Sequence, residues 1–150
     1  MLQMLQRLPV CCEKRASRSK VLEIKTKQFG IVRCEEKKII SMPGGMPGFS
    51  GTRRFIVLTR EESRPFFWYQ SVDDPDLAFV IINPYLFKPD YSVDLQPCIR
   101  EMLWENDKRE KLKVYVIVNA ASDNPEEITA NLMGPLVINM QKGEAVQMVV

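Results

Sequence analysis

The chain has 150 residues, 45% of them hydrophobic and 27% charged, which is the composition of one globular domain and excludes collagen, coiled coil and wholesale disorder. It contains no histidine, so the commonest general base, metal ligand and pH switch are missing together. The formal charge of +2 hides a split: residues 1–20 hold five basic groups against one acidic group, and residues 21–150 sum to −2. A mildly acidic body is not drawn to phosphate backbones, which argues against direct nucleic-acid binding. No apolar stretch is long enough for a membrane-spanning helix.

Residues 1–20 read as an N-terminal extension, disordered or loosely attached, lacking the long apolar run of a secretory signal. The four cysteines, Cys11, Cys12, Cys34 and Cys98, form no CxxC pair. They predict unpaired thiols in a reducing cytoplasm rather than a zinc site or a disulfide framework.

From residue 21 the pattern becomes orderly. Val21–Thr26 alternates apolar and polar side chains, Gln28-Phe29-Gly30 signals a turn, and Ile31–Cys34 predicts the second arm of a hairpin. Ile39–Met42 is a short apolar run. It leads into Pro43–Gly51, which carries four of the seven glycines and predicts an irregular loop. Arg54–Thr59 and Phe66–Ser71 are β-branched or aromatic strands joined by a charged turn. Leu77–Ile82 is continuously apolar, the pattern of a strand covered on both faces.

Asn83-Pro84 stops that strand, and Tyr91–Leu95 predicts another short one. Pro97–Asn106 is the helix, with Ile99, Met102 and Leu103 spaced along one face. Leu112–Asn119 alternates cleanly. After a turn at Asp123-Asn124-Pro125, strands are predicted at Ile128–Met133, Leu136–Met140 and Ala145–Val150. Many short strands and one or two short helices predict a mainly β fold, a small antiparallel β-barrel-like single domain over residues 21–150.

The densest polar constellation is Ser71–Asp76, with Asp73, Asp74 and Asp76. It lacks the spacing of an EF-hand, and its residue types suit a capped turn or a protein contact. The glycine-rich loop lacks the lysine and serine or threonine of a phosphate-binding loop. Ser41, Ser50 and Ser71 have no histidine partner, so no triad is available. The residues alone therefore point to a binding module. The alternative is a barrel enzyme or small-molecule binder with the Ser71–Asp76 loop at its mouth.

Gln70–Pro84 (QSVDDPDLAFVIINP) resembles the signature of the flagellar assembly factor FliW family. The resemblance continues in order through Ile24–Gly30, Pro43–Phe49, Arg54-Phe55, Tyr85–Tyr91 and Thr129–Asn139. Residues 1–20 have no counterpart in it. It implies a cytoplasmic, non-catalytic β-barrel-like protein without cofactors. It further implies that the protein binds the translational repressor CsrA, lifts its block on flagellin mRNA, and binds flagellin in a chaperone-like partner switch. On this reading Asp73, Asp74 and Asp76 steer a basic partner, and Tyr85, Phe87 and Asp90 complete the partner-binding set, with exposed apolar groups contributing a flagellin patch.

Overall fold

The clean alternation along Leu112–Asn119 becomes the longest strand of the fold and the one on which it closes. In the computed structural model, residues 20–49, 51–119 and 128–150 are described. The predicted extension up to residue 19 with Cys11 and Cys12, Ser50, and the turn at Asp123-Asn124-Pro125 lie outside the described residues.

Among the described residues ten strands and one α-helix are formed: β1 (Val21–Thr26), β2 (Gly30–Glu35), β3 (Ile40–Ser41), β4 (Arg54–Leu58), β5 (Phe67–Ser71), β6 (Ala78–Ile82), α1 (Gln96–Met102), β7 (Leu112–Asn119), β8 (Thr129–Ala130), β9 (Leu136–Asn139) and β10 (Glu144–Gln147). Strands run in the order β6-β5-β4-β3-β10-β9-β7, and β7 returns to β6 to close a seven-strand barrel. The first half of β7 pairs with β9 and its second half with β6, while β8 adds at its end. All pairings are antiparallel except β3 with β10, which meet in parallel at Ser41 and Glu144.

Alternation along the strands sorts side chains into three cores. Phe55, Tyr69, Ile81, Leu136, Ile138 and Ala145 fill the barrel, joined by Met42 and Met46 from its end. Phe55 stacks on Tyr69 with ring centroids 4.2 Å apart. On the outer face of β4, Ile56 and Leu58 lie under the β1–β2 hairpin, packed with Ile24, Phe29 and Val32. On the far side, Val137 and Leu112 lie under α1, with Cys98, Ile99 and Trp104.

The glycine-rich loop is a plug. Met46 is buried in the barrel core, and Phe49 sits edge-on to Phe79 at 5.4 Å, a contact of about 1 kcal/mol beyond its burial. Gly45 and Gly48 take φ of 72° and 86°, a left-handed backbone that a side chain resists.

Four predicted elements differ. Tyr91–Leu95 is not a strand. Its alternation is real, since Val93 and Leu95 pack against the α1 core, but it has no ladder partner. The helix stops at Met102 instead of continuing to Asn106. Leu103 turns left-handed at φ 60°, ψ 46°, and the amides of Leu103 and Trp104 donate back to the carbonyls of Arg100 and Ile99. That is a Schellman cap with leucine where glycine is usual, held by burial of Ile99 with Trp104. Of Ile128–Met133 only Thr129–Ala130 pairs, because Asn131 Oδ1 then accepts from the Met133 amide and turns the chain. The last strand also ends early, at Gln147.

Candidate functional site

The site starts from a polar residue in an apolar strand. Tyr69 points into the barrel, so Gln70, its neighbour on β5, points out. It is fully buried. Its Nε2 lies 3.1–3.3 Å from the carbonyl oxygens of Ser71, Asp74, Pro75 and Leu77. One amide group therefore gathers the whole 71–77 loop. The loop's own ends also meet, with Ser71 N–H donating to the Leu77 carbonyl at 2.9 Å. The hairpin holds it from outside, through Lys27 N–H donating to the Pro75 carbonyl at 2.9 Å.

Within this frame the three aspartates have different jobs. Ser71 Oγ accepts from the amides of Asp73 and Asp74. Asp73 pairs with Arg54 on β4 through both guanidinium and carboxylate arms, the shorter contact being 2.6 Å. Hydrogen bonding to Asp73 raises the Arg54 pKa above its ordinary value. Both side chains are about half exposed, so the pair contributes under about 1 kcal/mol to stability. Asp74 Oδ1 accepts from the Asp76 amide at 3.0 Å and closes a turn. The Asp76 carboxylate has no partner among the described residues and faces solvent. The carboxylates do not converge: among the described residues no group of three or more acidic, cysteine or histidine side chains could hold a metal ion.

Tyr85, Phe87 and Asp90 lie elsewhere. They follow β6, whereas the aspartates precede it. A five-residue strand with its flanks separates the two groups by about 15–20 Å. Asn83 caps the single turn Pro84–Leu86 by accepting from the Tyr85 amide at 2.9 Å. The Tyr85 ring meets Tyr91 edge-on at 5.8 Å, and the Tyr91 hydroxyl donates to the Leu132 carbonyl at 2.8 Å. Burial, then the neighbouring Tyr85, pushes the Tyr91 phenol up. Asp90 is paired with Lys88 at 3.3 Å. The turn exposes Leu86 by 59% and Phe87 by 48%, with Tyr85 beside them.

The six predicted residues thus form two surfaces of unlike chemistry. Sequence reasoning missed Gln70, which shapes the acidic end, and Leu86, which is more exposed than Phe87. A glutamine inside the apolar run FFWYQS was the available signal for the first. The barrel-mouth alternative loses its premise, because the interior is filled by side chains and the loop closes on Gln70. Cys34 is buried, and Cys98 is a buried free thiol. Burial, reinforced by Glu101, pushes the Cys98 thiol up to about 11, so it is protonated and unreactive at neutral pH.

Comparison with known proteins bears on what these surfaces serve. The sequence model described as FliW protein matches residues 23–150. A protein named flagellar assembly factor FliW from Caldanaerobacter subterraneus subsp. tengcongensis is 39% identical over 129 residues, covering 85% of this chain and 85% of that protein. One of the same name from Geobacter sulfurreducens is 41% identical over 128 residues, covering 85% and 79%. A crystal structure described as the flagellar assembly factor FliW superposes with a TM-score of 0.76 at 34% identity, covering 86% of this chain and 89% of that one.

Proposed function

This chain belongs to the FliW family of flagellar assembly factors, and from that premise we propose that it is a cytoplasmic, non-catalytic regulator working through two protein partners. It binds the translational regulator CsrA and antagonises its repression of flagellin mRNA. It also binds flagellin in a chaperone-like manner, and free flagellin occupying the factor releases CsrA.

The observation that carries this reading is the placement of two chemically unlike surfaces at opposite ends of β6. A repressor that binds RNA presents basic groups, and Asp73, Asp74 and above all the unpaired Asp76 offer the complementary charge. Such charge steers encounter and register more than it adds raw affinity. At the other end, Tyr85, Leu86 and Phe87 offer aromatic and aliphatic groups of the kind that anchor protein interfaces. The same arrangement accounts for exclusion. A partner footprint of about 800 Å² spans roughly 30 Å, wider than the separation of the two ends. Two partners centred on those ends therefore overlap.

Calorimetric titration with the cognate CsrA and with flagellin tests the reading. Each binds the folded protein alone, and flagellin displaces bound CsrA. Absence of binding to both partners sinks the proposal, and a stable ternary complex sinks its switch.

A further inference from the structure

One strand of the barrel keeps an open edge. β9 covers one side of β10 through four register pairs. β3 covers the other side only where Ser41 meets Glu144. Beyond that point the chain leaves β10, and Met42 donates to the Arg53 carbonyl instead. The amides of Met148 and Val150 donate to the carbonyls of Pro135 and Met133, on the β9 side. Alternation along the strand then turns the backbone groups of Gln147 and Val149 the other way. Their amides and carbonyls have no backbone partner among the described residues. An unpaired edge of this kind is a template for another strand.

The edge borders a groove of about 540 Å³ between the C-terminal residues and α1 with the segment preceding it. Val93, Cys98, Val146 and Met148 line it and belong to the core around Trp104. Its charged lining residues are Asp94 and Glu101, both exposed and both acidic.

We propose that this groove receives an extended segment of a partner chain, which adds a strand to the open edge of β10 and places a lysine or arginine against Asp94 and Glu101. The unpaired backbone groups supply main-chain recognition. The apolar lining takes alternate side chains, and the two carboxylates select a cationic group among them. The site uses none of the residues assigned above to CsrA or flagellin, and its test requires neither protein.

The probe is an acetylated octapeptide alternating valine and threonine around a central lysine, added to the full chain. Residue-resolved amide hydrogen exchange is the main measurement. Without peptide, the Gln147 amide exchanges at least about tenfold faster than the Met148 amide, because only the latter is bonded. The lysine peptide slows exchange at Gln147 and Val149. A matched peptide with glutamate for lysine binds about fivefold more weakly by fluorescence anisotropy, and Glu101→Lys abolishes or inverts that preference. Glu101 is an exposed helix position, so the variant keeps the fold. Protection of Gln147 in the free chain overturns the proposal, since the edge is then already occupied. So does equal protection by a peptide methylated at alternate backbone amides, or no protection by the lysine peptide at millimolar concentration.

Discussion

The two connections that flank β6 are of similar length and opposite design. The one before it, residues 71–77, is polar and held from beneath by a buried amide, and its exposed groups are charges on a fixed frame. The one after it, residues 83–90, is held by a capped turn and by one tyrosine hydrogen bond, and apart from the Lys88–Asp90 pair its exposed groups are apolar. The contrast teaches that display and scaffold can be separated residue by residue. Gln70 shapes a surface it does not reach, and Asp76 decorates that surface without holding it. At the other end Asn83 and Tyr91 hold, and Leu86 and Phe87 display.

Breaking the acidic scaffold carries the largest expected effect. Gln70→Glu sets a buried carboxyl against four carbonyl oxygens that now receive N–H donors. The carboxylate is disfavoured there both by burial and by repulsion, so chemical denaturation should show a loss of about 3 kcal/mol or more at neutral pH. The loss shrinks as falling pH protonates the glutamate, because its folded pKa is raised and the neutral form is the tolerated one. Stability unchanged at neutral pH contradicts the hub.

A change remote from both ends gives a control of opposite sign. Leu103→Gly removes the cost of a left-handed backbone from an exposed side chain, 71% accessible, and stabilises by about 1 kcal/mol. The apolar end gives a smaller loss than the hub. Tyr91→Phe deletes one hydrogen bond at the protein surface and costs about 1 kcal/mol or less in the same denaturation experiment. If Tyr91→Phe matches Gln70→Glu, the two connections are not held as differently as described.

Much of this was legible in the sequence. Alternation located the hairpin and β7, and the continuous run before Asn83 located β6. What alternation left open was which face turns inward. On β7 it is Tyr115 and Ile117 that pack on the barrel interior, while Leu112 joins the α1 core. The run Tyr91–Leu95 misled because side-chain burial alternates there without a neighbouring strand to pair with. The helix end misled because no glycine marks it. Here tertiary burial of Ile99 and Trp104 imposes the left-handed turn on a leucine.

The residues of the candidate set come from the sequence, and the geometry that divides them between two surfaces does not. Asp73–Asp76 and Tyr85–Asp90 lie close in the chain and enter one partner-binding set, with no surface assigned to either partner. The strand between them already implied opposite ends, since a run of six apolar residues carries the chain from one end of the barrel to the other. The Arg54–Asp73 pair and the Gln70 hub depend on the register between β4, β5 and β6, which no local pattern encodes.

The most direct test of two separate partner surfaces is a crossed affinity measurement with one display residue changed at each end. Asp76→Lys and Phe87→Ser should each alter stability by no more than about 0.5 kcal/mol, because neither side chain holds its connection. Isothermal titration of each variant with CsrA and with flagellin then reads the surfaces separately. The account predicts that Asp76→Lys weakens CsrA about tenfold and leaves flagellin unchanged, while Phe87→Ser does the reverse. Equal losses for both partners in either variant, or no loss in both, would contradict it.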